Sequence, residues 1–93
     1  MYEYILTLEA EEDIVRIYEY GIGQFGLIQA DVYYDMLFDS FDNIGKNPYL
    51  FPSADHIKIG YRYCVCGVDT IYYKITSQEI VEIITIIGRQ DYR

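Results

Sequence analysis

Apolar residues recur every three or four positions in the first half of the chain, a spacing that predicts two amphipathic helices. The first set consists of Ala10, Ile14, Ile17, Tyr18 and Gly21. Thr7 stands ahead of this set as a helix N-cap, and acidic residues follow it in the first turns, where the helix dipole favours them. The aromatic and branched residues from Tyr2 to Leu6 predict a short strand before the helix.

A second helix is predicted from about Leu27, with the stronger periodicity of the two. Its apolar face consists of Ala30, Tyr33, Tyr34, Leu37, Phe38, Phe41 and Ile44, while Asp31, Asp35, Asp39 and Asp42 lie largely off that face. Gly45 and Pro48 mark its end, because glycine favours a helix C-terminus and proline prevents continuation. The short glycine-containing joint before Leu27 folds the two helices into an antiparallel hairpin.

Three strand-like runs follow a loop from Asn47 to Asp55. They span residues 57–66, with a bend at Gly60, then 70–75 and 80–87, and they are rich in β-branched and aromatic residues. The last run is nearly continuous in apolar residues, which indicates a central strand. The order β-α-α-β-β-β predicts an α+β fold in which the helical hairpin packs on one face of an antiparallel sheet.

Composition limits the class of protein. With 93 residues, 52% of them hydrophobic, the chain is predicted to form one globular domain spanning residues 1–93 without help from disulfides or metals. Cys64 and Cys66 are predicted to be reduced core residues, and His56 lacks any neighbouring metal-ligand motif, so no cofactor is expected. No apolar run is long enough for a membrane span and no signal peptide is recognisable, so we expect a cytoplasmic protein.

The net charge of −8 is distributed unevenly. Residues 1–46 carry ten acidic and two basic side chains, whereas residues 47–93 carry five of each. An acidic helical half repels nucleic acid, so no sequence-specific nucleic-acid binding is expected. Every basic residue of the second half is therefore a candidate for contact with a partner.

Arg62 is the first of these candidates, because an arginine in a sheet needs a partner for its guanidinium. One interpretation is an ion pair with an acidic residue of the helical hairpin, for example one of residues 11–13, and the other is a target-binding role; the two are compatible. On a continuous strand, Lys58 would share a face with Arg62. The polar residues after the last strand are either a solubilising tail or a target-contacting tip, and they include Arg89, Gln90, Asp91 and Arg93.

Several short segments, taken in order, carry a resemblance to a known family. They are Thr7 with Ala10 and Asp13; Ile17-Tyr18-Glu19-Tyr20; Gln29-Ala30 with Tyr33 and Leu37; Asn47-Pro48; Ile57 to Arg62; Ile71-Tyr72-Tyr73; and Ile86-Ile87-Gly88-Arg89-Gln90-Asp91. In this order and spacing they resemble the ParE/RelE superfamily of bacterial toxins, and more closely its ParE branch. The resemblance covers almost the whole chain.

The resemblance implies the toxin of a type II toxin–antitoxin system. ParE-like toxins inhibit DNA gyrase by binding and are neutralised by a ParD-like antitoxin, whereas the RelE branch cuts messenger RNA on the ribosome. RelE-like nucleases carry lysines just ahead of the segment corresponding to Gly60-Tyr61-Arg62, and the loop 51–56 here has none. We therefore expect a non-enzymatic, gyrase-binding toxin. The alternatives are a RelE-type nuclease and a degenerate toxin that retains only antitoxin binding.

Tyrosines complete the predicted binding surfaces. The chain has twelve tyrosines and no tryptophan, and Tyr18 and Tyr20 cannot share one helix face, so one of them should be exposed. The predicted antitoxin-binding residues are Tyr18, Tyr20, Tyr33 and Tyr34; the alternative is that most of these rings pack in the core. The predicted target-binding residues are Lys58, Arg62, Arg89, Gln90, Asp91 and Arg93.

Overall fold

A helical hairpin lies on one face of a four-stranded sheet in the computed structural model, which describes residues 1–88. The elements are β1 (Tyr4–Leu6), α1 (Leu8–Phe25), α2 (Leu27–Lys46), β2 (Arg62–Cys66), β3 (Asp69–Ile75) and β4 (Val81–Gly88). This order confirms the predicted β-α-α-β-β-β architecture. Gly26, with a φ of +89°, forms the joint between the helices, a backbone conformation that favours glycine.

The sheet has the strand order β1-β4-β3-β2, so β4 is a central strand as predicted. Strands β2, β3 and β4 pair antiparallel, but β1 pairs parallel with β4, with Tyr4 opposite Val81. The sheet is therefore mixed, where the sequence predicted an antiparallel one. The three residues of β1 do not indicate whether the strand pairs parallel or antiparallel. That direction depends on the position at which the chain re-enters the sheet after the helical hairpin.

Thr7 joins the start of α1 to the sheet. Its Oγ1 accepts a hydrogen bond from the Ala10 amide at 3.1 Å, which confirms the predicted N-cap, and its hydroxyl donates to the carbonyl oxygen of Ile84 at 2.7 Å. One side chain thus satisfies a free amide of the first turn and fixes α1 against β4.

The core lies between the hairpin and the sheet. Its buried members include Ile14, Ile17, Leu37, Phe41, Ile44, Cys64, Cys66, Ile71, Tyr73, Val81, Ile83 and Ile86. Both cysteines are free thiols within it, as predicted, and burial raises their pKa values. No helix within residues 1–88 combines the length and apolar character needed to cross a membrane.

Strand β2 begins at Arg62, so the prediction of a strand from Ile57 was wrong. Residues 54–61 instead fold into consecutive turns, in which the amides of Ile57 and Lys58 donate to the Ala54 carbonyl at 2.9 and 3.1 Å. The Gly60 amide donates to Asp55 Oδ1 at 2.8 Å. The Asp55 side chain thus accepts a hydrogen bond from a backbone amide that would otherwise pair with a neighbouring strand. The spacing of apolar residues does not reveal such a side-chain bond. Lys58 consequently lies in a loop and does not share a strand face with Arg62.

Candidate partner-binding surfaces

Arg62 is held by the loop that precedes β2. Its Nη1 donates to the carbonyl oxygen of Phe51 at 2.7 Å and, more weakly, to that of Tyr49 at 3.4 Å. The guanidinium carbon also lies 5.4 Å from the centre of the Tyr49 ring, within range of a cation–π interaction. Among residues 1–88, Arg62 makes no ion pair with the acidic stretch 11–13, so that interpretation was wrong.

Asp13, within that acidic stretch, has its own partners on the sheet. Its Oδ2 accepts hydrogen bonds from the hydroxyl of Thr85 at 2.8 Å and from the amide of Ile86 at 2.9 Å. Its Oδ1 lies 3.1 Å from Nη2 of Arg16, which also donates to the Ile86 carbonyl at 3.3 Å. Asp13 therefore fixes α1 to β4 and is not available to pair with Arg62.

The loop 47–61 is anchored to the sheet at several further points. The hydroxyl of Tyr73 donates to the carbonyl oxygen of Pro48 at 2.5 Å, in a fully buried contact. The amide of Tyr63 on β2 donates to the carbonyl of Pro52 at 3.1 Å, and within the loop the amide of the buried Ala54 donates to the carbonyl of Tyr61 at 2.7 Å. Burial raises the pKa of Tyr73 to about 12, although the nearby Arg62 charge opposes part of that rise. The loop is thus well anchored along its length.

This loop exposes four large apolar side chains. These are Tyr49, Leu50, Ile57 and Ile59, which we call the loop surface; Leu50 is 73% and Ile59 88% exposed. Lys58 lies among them in sequence, with Nζ 5.9 Å from the centre of the Tyr61 ring. The structure therefore places the predicted residue Lys58 beside exposed apolar side chains, with Arg62 bracing the loop from within.

A second apolar surface lies on the helical hairpin. A cavity of about 310 Å³ opens between α1, α2 and the turn joining β2 to β3. We call it the hairpin pocket; its lining includes Tyr18, Tyr20, Tyr33 and Tyr34, together with Phe25 and Val68. All four tyrosines predicted as one surface thus meet at one cavity.

The four tyrosines contribute differently. Tyr20 and Tyr34 are exposed, whereas Tyr18 and Tyr33 are half-buried, so one of the pair Tyr18 and Tyr20 is exposed as predicted. The hydroxyl of Tyr18 donates to Asp31 Oδ1 at 2.5 Å, and this bond raises the pKa of Tyr18. Of the four, Tyr20 and Tyr34 are the more exposed, at 48% and 40%, and offer the larger surface to a partner.

Tyr33 joins the pocket to the sheet. Its hydroxyl lies 2.6 Å from Oδ2 of the buried Asp69 and 2.7 Å from the Cys66 carbonyl oxygen. Burial, followed by the hydrogen bond to Asp69, raises the pKa of Tyr33 well above its usual value. A Cβ at Gly67 would lie 2.6 Å from the Tyr33 ring, so only glycine allows this packing. Tyr33 is therefore first a structural residue of the pocket wall.

An exposed apolar stripe beside the hairpin pocket was not predicted from the sequence. Ile28, Val32 and Met36 recur every four residues along α2 and are exposed, and Phe25 continues this apolar stripe across the joint. A second apolar stripe on a helix whose first stripe already faces the core was the signal that could have revealed it. Side by side, the stripe and the pocket form a continuous candidate interface.

The remaining predicted residues Arg89, Gln90, Asp91 and Arg93 lie outside the described residues. Within residues 1–88, no group of three or more histidine, cysteine, aspartate or glutamate side chains is placed to hold a metal ion.

Comparison with known proteins places this geometry in a family. The family model described as "ParE toxin of type II toxin-antitoxin system, parDE" matches residues 4–92. Toxin ParE1 of Mycobacterium tuberculosis is 25% identical over 87 residues, covering 94% of this chain and 89% of the relative. Toxin ParE1 of Caulobacter vibrioides is 28% identical over 87 residues, covering 94% and 88%.

A solved structure supports the fold independently of sequence. A chain from the chromosomal ParDE TA system of P. aeruginosa superposes with a TM-score of 0.83 at 13% identity, covering 95% of this chain and 96% of that one. At this identity the likeness shows the fold alone. Because the family model spans nearly the full length of the sequence, the chain belongs to the ParE toxin family of type II toxin–antitoxin systems.

Proposed function

We propose that this ParE-family toxin acts by binding DNA gyrase and that a ParD-like antitoxin neutralises it by covering the hairpin pocket. Two observations together support the proposal. The ParE family model matches residues 4–92, and the hairpin carries an exposed apolar stripe beside a cavity. Contiguous exposed apolar surface on a small soluble protein is characteristic of a site for another protein.

The shape of the hairpin pocket favours a helical antitoxin segment. Val32 and Met36 lie on one line along α2, and Tyr20 and Phe25 of α1 stand on the other side of the cavity. An amphipathic helix binds such a groove through apolar residues spaced three and four apart. Because residues 1–46 carry a net charge of −8, basic residues should flank the apolar positions of that segment.

A binding mechanism also agrees with the environment of Arg62. A ribonuclease site of RelE type needs a dense basic cluster and a proton-transfer group to stabilise charge on a phosphate. Here the Arg62 guanidinium donates to loop carbonyls, and the overall charge of −8 opposes binding to ribosomal RNA. These observations favour a non-enzymatic toxin over the nuclease.

The decisive experiment adds the purified toxin to purified DNA gyrase. We expect loss of supercoiling and accumulation of cleaved DNA, with both effects abolished when the toxin is first mixed with the antitoxin encoded in the neighbouring reading frame. Normal supercoiling together with cleavage of messenger RNA on ribosomes would support the nuclease instead. Absence of growth arrest on expression without the antitoxin would indicate a protein that retains only antitoxin binding.

A further inference from the structure

The loop surface lies beyond the end of α2, whereas the hairpin pocket is lined by the first half of that helix, from Gln29 to Leu37. The hairpin joint at Gly26 precedes α2, and the loop follows its last residue, Lys46. Leu37, the last pocket residue on α2, is nine residues before Lys46, which corresponds to about 14 Å of helix at 1.5 Å per residue. The residues that line the pocket and those of the loop surface do not overlap, so substitutions can alter each surface separately.

The two surfaces also differ in charge. Residues 46–62 carry Lys46, Lys58 and Arg62 against Asp55, a net charge of +2. The other residues carry fourteen acidic and four basic side chains, a net charge of −10, and the two values sum to the −8 of the whole chain. The segment 46–62 is therefore net positive in an otherwise strongly acidic chain, and it favours an acidic partner, whereas the acidic hairpin favours a basic one.

The loop surface is held in a defined shape. Arg62 donates to the Phe51 carbonyl, Tyr73 to the Pro48 carbonyl, and the Tyr63 amide to the Pro52 carbonyl at 3.1 Å. These bonds fix the backbone on either side of the exposed Leu50. A preformed apolar surface loses less conformational entropy on association than a loop that must first become ordered.

We propose that the loop surface is the docking site for the toxin's target protein, which meets it with an apolar patch bordered by carboxylates. Leu50, Ile57 and Ile59 bury their side chains in that patch, and Lys58 pairs with the carboxylates. Arg62 acts as a positioning residue that fixes the loop. This inference rests on the proposed function, because it takes the target to be a protein that the toxin inhibits by binding.

The test is a double variant, Leu50→Ser with Ile59→Ser, which changes two strongly exposed side chains. Leu8→Ser is the matched control, since Leu8 is 71% exposed on the first turn of α1. Growth arrest without antitoxin, inhibition of purified gyrase and affinity for the antitoxin are measured for each protein. We expect the double variant to need at least about tenfold more protein for inhibition, as expected when an interface centre is lost. Its antitoxin affinity and the behaviour of the control should match wild type.

A charge variant tests the second half of the proposal. Lys58→Glu should weaken gyrase inhibition, and raising the salt concentration should reduce the difference from wild type, because salt screens exposed charges. An unchanged inhibition by Lys58→Glu at low salt would refute the carboxylate-bordered patch.

The outcomes separate the inference from the function on which it rests. A wild-type toxin that neither arrests growth nor inhibits gyrase refutes the proposed function and this inference with it. A wild-type toxin that is active, with a double variant equally active, refutes only the inference. A double variant that loses antitoxin affinity instead would assign the loop surface to the antitoxin.

Discussion

Arg62 Nη1 and the carbonyl oxygen of Phe51 lie 2.7 Å apart, so the first residue of β2 braces a loop that begins at the far end of α2. A planar guanidinium can bond Phe51 and the Tyr49 carbonyl while resting on the Tyr49 ring. In this position its charge stabilises the loop.

Arg62→Lys should therefore be nearly as damaging as Arg62→Ala, although lysine keeps the charge. We expect each to lower the free energy of unfolding by about 1–2 kcal/mol, because hydrogen bonds from a charged group to a half-exposed carbonyl are lost. Urea denaturation measures the stability of each variant, and growth arrest on expression measures its toxicity. Full toxicity of the lysine variant, with loss only in the alanine variant, would show that the charge itself contacts the target.

Tyr33→Phe should destabilise the protein without altering the exposed surface of the pocket. The change removes the hydroxyl that donates to buried Asp69 at 2.6 Å, and we expect a loss of about 1–3 kcal/mol in the free energy of unfolding. Tyr20→Phe is the matched control, since Tyr20 is exposed, and it should stay within about 0.5 kcal/mol of wild type. Equal stability of the two variants would contradict a structural role for Tyr33.

Ile28→Ser with Val32→Ser should weaken binding of the antitoxin by at least about tenfold, because both residues lie on the exposed stripe beside the hairpin pocket. Isothermal titration calorimetry with the purified antitoxin measures the change. Leu8→Ser, at an exposed position on the first turn of α1 that does not line the pocket, serves as the control. If the stripe variant bound as tightly as wild type, the antitoxin would have to occupy another surface.

Asp13→Ala should cost about 2–4 kcal/mol, because two hydrogen bonds that join α1 to β4, and a third from Arg16 within α1, lose their acceptor. The neighbouring Glu12 is exposed, and Glu12→Ala should be close to neutral. Thermal denaturation of the two variants checks this. Similar melting temperatures would mean that Asp13 serves only the helix dipole.

The helices were predictable because their signals are local. Thr7 caps α1, and the stripe from Ala30 to Ile44 faces the core, each through spacings of a few residues. The parallel pairing of β1 with β4 was not predictable, since it joins Tyr4 to Val81 across the whole fold. The same holds for Asp13, whose sheet partners lie more than 70 residues away.

The candidate sites, too, were predictable from the sequence only in part. The four tyrosines line one cavity, but their binding to an antitoxin stays a prediction. The environment of Lys58 and Arg62 was not predicted, because a side-chain bond from Asp55 replaces strand pairing in the turns before β2. Apolar periodicity detects neither that bond nor the carbonyls to which Arg62 donates.

Tyr73 gives the stability a specific dependence on alkaline pH. Burial raises its pKa from 10.0 to about 12, so the folded state favours the neutral phenol. This contribution to stability is fully present below pH 10 and is lost as the pH rises towards 12. Tyr73→Phe removes both this titration and the bond to the Pro48 carbonyl, and should cost about 1–3 kcal/mol at pH 8. Urea denaturation from pH 8 to 11 measures the free energy of unfolding of wild type and of Tyr73→Phe. The difference between the two values should narrow above pH 10. A gap that stayed constant over that range would mean that Tyr73 does not favour its neutral form in the folded state.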